Sequence, residues 1–280
     1  MGKIRDKKII DERAARRRKR KKPERYRQKI RVPLPQAQRQ PRSIELWENI
    51  LPNHPAFVIG NAPSLDACDL SLLEGCFTIG VNRVYDRIDP IILFWQDISV
   101  WFDEHKTIVT LEAIKVARDI ADPHCRFFNF GVPDTKKYKF GPKPQRLHGT
   151  GNTGTLAVEM ANAMGCSPII ILGMDCKVQG KKTDHFGHNK YWTKQTPNIC
   201  RDGLLAIRDK CKTPILNCGD SGLWPKVSLA DAMQELGNFE RHDRAWYQKL
   251  LVGEQVLDRG RIEKKRRARK WSRRAGSHSG

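Results

Sequence analysis

Two histidines, His185 and His188, flank Phe186-Gly187 in a polar stretch of the chain. A histidine that titrates near neutrality is the usual base for taking a proton from a hydroxyl. H-x-x-H beside Asp184 is also part of a metal set, but no further ligand stands at helical spacing. A surface histidine without a role is the third reading. Upstream, Gly60-Asn61-Ala62-Pro63-Ser64 follows an apolar segment directly. Gly60 permits close approach of a ligand, Pro63 presets the turn, and Ser64 is placed to cap the next helix. The free N–H groups of that helix would suit an anion such as phosphate. The competing reading is a tight turn with no ligand. Asn82 ends a second apolar segment. Its amide suits a nucleobase edge or a ribose hydroxyl, or else it closes an Asx turn.

Residues 149–154, GTGNTG, match G-x-G-x-x-G, and Asp175 lies 21 residues beyond the last glycine. A dinucleotide site would need a strand immediately before this turn. What precedes it is KYKFGPKPQRLH, a basic loop rich in Pro and Gly. The turn is therefore read as a glycine-rich opening to a helix, an anion site to which Thr153 adds a hydroxyl. Asp175, after the apolar run PIIILGM, either binds a hydroxyl or orders the loop that follows. The chain contains neither a Walker-A lysine pattern nor D-x-D.

The elements that must position these groups alternate. Strands are expected at 57–59, 77–81, 91–95, 126–130, 169–172 and 214–217. Helices are expected at 65–73, near 108–120, at 154–164, at 200–210, and near 228–236 and 240–252. Short, continuous apolar strands alternating with helices predict an α/β fold with a doubly wound, mostly parallel Rossmann-like sheet. The polar stretch 176–198 would be a lid-like loop. In such sheets ligands lie at the carboxyl ends of the strands, where all these motifs fall.

The net charge of +21 is unevenly placed. Residues 1–42 hold 18 Lys and Arg against 4 Asp and Glu, and residues 259–280 hold 10 against 1. Residues 43–258 hold 24 against 26. The expected organisation is a basic disordered arm and Pro/Gln-rich linker over 1–42, a nucleotide-binding α/β domain over 43–258, and a basic tail over 259–280. Polycations bind nucleic acid by releasing counterions, with little sequence preference. Eight cysteines include no C-x-x-C pair. Cys68, Cys76, Cys125, Cys166 and Cys176 are read as reduced core residues, and Cys200, Cys211 and Cys218 are too irregular in spacing for zinc. The charged N-terminus does not resemble a signal peptide, and no apolar run is long enough to span a bilayer. The expectation is a soluble protein of a reducing, cytoplasmic compartment.

Taken in order, GNAPSL, Asn82, Thr153-Gly154, GMD and Gly187-His188 resemble the bacterial lipooligosaccharide sialyltransferases. They are also similar to the wider superfamily of flagellin-modifying glycosyltransferases and 6-hydroxymethylpterin pyrophosphokinase-like proteins. The resemblance covers about residues 56–236. It implies a metal-independent, inverting glycosyltransferase with a CMP-type nucleotide-sugar co-substrate and no other cofactor. It implies that Asn61 and Asn82 contact the nucleotide, that Thr153 and Gly154 meet phosphate or the donor carboxylate, and that His188 is the catalytic base. Ser64, Asp175 and His185 complete the substrate-binding set. The family's third-strand Asn falls at Gln96. Its two tyrosines have no match, and their places fall near Lys177 and Thr183, where Lys177 could serve as a cation.

The basic ends add nucleic acid as acceptor or anchor, as in a phage-type modification enzyme. Two alternatives stand beside this reading. One is a Mg²⁺-dependent pyrophosphokinase of the pterin branch. The other is an inactive nucleic-acid-binding or virion structural protein.

Overall fold

The structure, a computed structural model, describes residues 47–118, 128–130, 152–178, 180–185, 187 and 192–252. Seven strands make one sheet: β1 (Ala56–Ile59), β2 (Phe77–Val81), β3 (Ile92–Trp95), β4 (Ile114–Arg118), β5 (Phe128–Phe130), β6 (Ile169–Leu172) and β7 (Ile215–Asn217). Their order is β5-β4-β3-β2-β1-β6-β7, and every pairing is parallel. The helices are α1 (Ile98–Ile108), α2 (Thr153–Ala163), α3 (Thr196–Lys210), α4 (Leu229–Leu236) and α5 (Arg244–Val252).

The strands are apolar along their whole length because both faces of the sheet are covered. Alternate residues of β1 go to opposite sides. Ala56 and Val58 join a core with Leu156 of α2, Leu204 and Ile207 of α3, and Tyr247 of α5. Phe57 and Ile59 join a second core with Trp101 and Ile108 of α1 and with Leu229 and Ala232 of α4. The sheet is thus doubly wound. Helix α2 has almost no solvent face, since Thr153 through Ala161 are all buried. It carries the chain from β5, at one edge, back to β6 beside β1.

The strand order therefore reverses at β1. There Ala56 pairs with Phe77 on one side and with Ile169 on the other. A crevice opens beyond the carboxyl ends of strands at such a reversal. Trp47, fully buried, donates its indole N–H to the Leu251 carbonyl at 2.9 Å and so fixes the start of the described chain to α5.

Two local expectations are corrected. The helix expected near 108–120 lies earlier: α1 ends at Ile108, and residues 114–118 form β4. The segment 65–73 is not one helix but two 3-10 turns, Pro63–Ala67 and Leu70–Leu73. Between them the Asp69 carboxylate accepts from the Ser71 N–H at 3.1 Å and the Ser71 hydroxyl at 2.6 Å. Such local capture of backbone donors competes with helix continuation. The basic segments 1–42 and 259–280, Cys125 and the HFGH histidine His188 lie outside the described residues. Among the described residues, no helix is long and apolar enough to cross a membrane.

Candidate active site at the strand reversal

A cavity of about 330 Å³ opens at the carboxyl ends of β1, β2, β3 and β6. That lies within the range of small-molecule sites. Of the residues singled out in the sequence, Asn61, Asn82, Gln96, Thr153, Gly154 and Asp175 all line it. They come from four strand ends and one helix start, so the fold alone brings them together.

The two glycines next to the cavity serve the backbone. A Cβ on Gly60 would lie 2.2 Å from the Gly173 carbonyl oxygen, and one on Gly173 would lie 2.9 Å from the Gly60 oxygen. The expected close approach at Gly60 is therefore to the exit of β6. The turn after Gly60 uses its own donors. Gly60 N–H donates to Leu172 O at 2.8 Å, Ala62 N–H to Gly173 O at 2.9 Å, and Leu65 N–H to Ala62 O at 3.0 Å. Ser64 N–H donates to Asp175 Oδ2 at 3.0 Å, and its hydroxyl donates to Asp175 Oδ1. Ala62, not Ser64, occupies the cap position of the short turn. The Ala62, Ser64 and Leu65 N–H groups of this first turn are thus engaged within the protein. Asp175, 2% exposed, also accepts from Asp220 N–H at 3.0 Å. It ties together the loops after β1 and β7 rather than the loop that follows it in sequence.

Helix α2 points its start at the cavity through Asn152, Thr153 and Gly154. Asn152 caps it, accepting from Gly154 N–H at 2.9 Å. The partial positive charge of this end falls inside the cavity wall.

Asn61 is 8% exposed, and its Oδ1 has no partner; Asn82 Oδ1 is buried and unpartnered as well. Asn82 has φ 51°, a strained conformation that aims its amide from the end of β2. Gln96 Oε1 accepts from Arg118 Nη1 at 2.9 Å, which fixes the orientation of that amide. Asp97 is exposed at the cavity, and partial desolvation of its carboxyl raises its pKa against the opposing charge of Arg118.

His185 does not line the cavity but contacts Asn61, which does. Its backbone N–H and its ring Nδ1 approach the Asn61 carbonyl oxygen at 2.7 and 3.1 Å. A carbonyl only accepts, so Nδ1 carries the proton in this contact. Burial lowers the pKa of His185 and favours the neutral ring, against the raising effect of the Asn61 carbonyl. The turn around it is closed by Thr183 and Asp184 N–H groups donating to Gly187 O, both at 3.0 Å. Lys177, half exposed, pairs with Asp220 at 3.6 Å.

Sequence reasoning did not include Asp97, Asp184, Cys176, Trp192, Thr196, Ile199 or Cys200 in the site, yet all line the cavity. Asp97 and Asp184 adjoin residues that were singled out. The others come from α3 and the segments before it and after β6, and no spacing in the sequence brings them to β1. Among the described residues, no group of three His, Cys, Asp or Glu is placed to hold a metal.

No protein-family model matches the chain, and no curated protein matches it. Distant matches among solved structures include glycosyltransferases. The MAf glycosyltransferase from Magnetospirillum magneticum AMB-1 is 15% identical with a TM-score of 0.48, over 76% of this chain and 40% of that one. This chain thus spans less than half the length of that protein. The Campylobacter jejuni sialyltransferase CstII, in complex with the substrate analogue CMP-3FNeuAc, is 16% identical with a TM-score of 0.40, over 68% of this chain and 91% of that one. The sialyltransferase CST-II with trisaccharide acceptor and CMP is 16% identical with a TM-score of 0.39, over 68% and 90% of the two chains.

Proposed function

We propose that the chain is a glycosyltransferase using a nucleotide-sugar donor of the CMP type. The observation that carries this reading is the pair of buried amide oxygens, Asn61 Oδ1 and Asn82 Oδ1, which line one cavity without a protein donor. An orphaned buried acceptor costs about 1–3 kcal/mol. A ligand rich in N–H and O–H groups, such as a cytosine amine with ribose hydroxyls, removes that cost. The start of α2 supplies N–H groups and positive potential for a phosphate. In the reaction, the acceptor oxygen attacks the anomeric carbon as the bond to the leaving phosphate breaks on the opposite face. The configuration inverts, CMP departs, and the acceptor proton passes to His188, the base implied by the motif resemblance. Positioning and stabilisation of phosphate charge supply the rate, with no covalent intermediate and no metal.

Thermal unfolding with CMP, UMP, GDP and ATP tests the reading, because a ligand of the folded state stabilises by RT ln(1 + [L]/Kd). CMP should give the largest shift. His188→Ala should keep that shift and lose turnover. The absence of a shift with all four nucleotides would overturn the proposal in favour of a non-catalytic, nucleic-acid-binding protein.

A second reading has its own observation. Asp97 and Asp184 line the same cavity. Mg²⁺ is commonly held by one or two carboxylates together with substrate phosphates. That arrangement would suit the Mg²⁺-dependent pyrophosphokinase branch. It predicts a shift with ATP that requires Mg²⁺ and vanishes with EDTA. The basic segments 1–42 and 259–280 support nucleic acid as the acceptor or as an anchor, through charge alone.

A further inference from the structure

The carbonyl oxygen of Asn61 is held twice by one residue. His185 donates to it from its backbone N–H at 2.7 Å and from ring Nδ1 at 3.1 Å. A carbonyl oxygen offers two lone pairs, so these bonds fill it. The far side of the same peptide is held as well, because Ala62 N–H donates to Gly173 O at 2.9 Å. The peptide after Asn61 is thus pinned between the exit of β6 and the turn at 183–187. That turn is closed on itself: Thr183 and Asp184 N–H groups donate to Gly187 O at 3.0 Å, and Gly187 N–H donates to Asp184 O at 2.9 Å. Beside it, Lys182 pairs with Asp66 at 3.9 Å, but both side chains are exposed and such a pair contributes little. Of these ties, the His185 bonds to Asn61 are the close ones.

The pinned peptide carries the Asn61 amide, whose Oδ1 lines the cavity, buried and without a partner. A short side chain points only as steadily as its backbone is held. An acceptor already fixed in its bound direction loses little freedom when a ligand arrives, and that preorganisation raises affinity.

We propose that His185 is a positioning residue: through the Asn61 carbonyl it aims the Asn61 amide into the cavity, so that nucleotide affinity depends on a side chain the cavity does not include. That role rests on the reading of Asn61 as a nucleotide contact. It also sets a limit. Because His185 acts through Asn61, its loss costs no more nucleotide affinity than loss of the Asn61 amide, and it costs none once that amide is gone. A histidine that only stabilised the fold would obey neither relation. The geometry further selects the replacement that serves. Nδ1 of histidine and Nδ2 of asparagine are both bonded to Cγ, whereas Nε2 of glutamine lies one atom farther out. His185→Asn can therefore rebuild the bond to the Asn61 carbonyl, and His185→Gln cannot do so from the same backbone.

Full-length wild type, His185→Ala, His185→Asn, Asn61→Ala and the His185→Ala, Asn61→Ala double variant are compared. Calorimetry measures CMP affinity, and mass spectrometry measures amide hydrogen exchange over residues 60–65 without ligand. His185→Ala should weaken CMP by about fivefold, the factor carried by one ordinary hydrogen bond, and should speed the exchange. His185→Asn should restore both. In the Asn61→Ala background, His185→Ala should leave CMP affinity unchanged. Wild-type affinity and exchange in His185→Ala would overturn the proposal, as would losses of affinity that add in the double variant. A wild type that does not bind CMP overturns the CMP reading instead; the exchange then decides alone, and equal exchange in wild type and His185→Ala sinks the positioning role. Should His185→Ala fail to fold, His185→Gln replaces it, and binding and exchange equal to those of His185→Asn would count against the proposal.

Discussion

Gly60 and Gly173 meet backbone to backbone where β1 and β6 leave the sheet, so closely that a methyl group on Gly60 would stand 2.2 Å from the Gly173 oxygen. The Gly173 carbonyl cannot yield without breaking its bond from Ala62 N–H, next to the one that Gly60 N–H makes to Leu172. Gly60→Ala should therefore destabilise the fold by about 1–3 kcal/mol or more, the usual range for overpacking. Urea unfolding measures it. Unchanged stability would show that the two strand ends can part.

Asp175 and Ser64 should behave as one unit. Asp175→Ala strands the Ser64 N–H, the Ser64 hydroxyl and the Asp220 N–H. Each buried donor left without a partner costs about 1–3 kcal/mol. Ser64→Ala removes one donor and its need together, so its cost is smaller. In a double-mutant cycle the two changes should be clearly non-additive, by about 0.5–3 kcal/mol. Additive costs would place the stabilising role of Asp175 elsewhere.

Asn61→Ala should separate binding from stability. Its Oδ1 has no partner in the protein, so deleting it leaves thermal stability unchanged or raises it. The stabilisation conferred by CMP should fall by about 1 kcal/mol, the ordinary worth of one hydrogen bond. A large drop in stability without ligand would mean that the side chain is structural.

Acid should weaken the fold through two histidines. His54 donates from Nδ1 to the Pro55 carbonyl at 2.9 Å and faces the Tyr247 hydroxyl at 3.3 Å through Nε2. Burial lowers the pKa of His54 and of His185. The unfolded chain takes up these protons near pH ~6.5, before the folded chain does. Stability from these groups is thus complete above that pH and is lost as pH falls toward their folded values. Melting temperatures measured from about pH 8 to about pH 5 should fall, and His185→Gln should shrink the fall. An unchanged slope in that variant would exclude His185 as a contributor.

The basic segments should matter through salt. If they hold nucleic acid, log K should fall linearly with log salt, with a slope near −0.9 per neutralised phosphate, about −0.7 on single strands. Removing 1–42 and 259–280 should flatten that line. Affinity that survives their removal would assign the binding to the folded domain.

The strands were legible because parallel strands buried on both faces are uninterrupted apolar runs; Phe77–Val81 and Ile169–Leu172 fall where the sequence predicts. Strand β4, Ile-Lys-Val-Ala-Arg, was not, because it holds two cations and lies directly beyond α1. Lys115 is tolerated there because its ammonium donates to the Leu111 and Ala113 carbonyls at 2.6 and 3.0 Å. In the site, residues at strand ends could be read from sequence because strand order dictates where they meet. The binding of Ser64 to Asp175 could not, since a serine offered to an anion and one offered to a carboxylate look alike in sequence.

The pairing of Ala56 with Ile169 also governs how the chain must be made. Strand β1 has its first partner, β2, almost at once, but its second is synthesised only when translation reaches β6. At about 5–20 residues per second, that leaves the β1 edge open for about 6–20 seconds on the ribosome. During that interval Ala-Phe-Val-Ile, wholly buried in the finished sheet, offers unpaired N–H and C=O groups to any neighbouring strand. Nascent chains of this protein are therefore most vulnerable to misassociation after β2 has formed and before β6 emerges, and a ribosome stalled between them would display the sheet's centre as an edge.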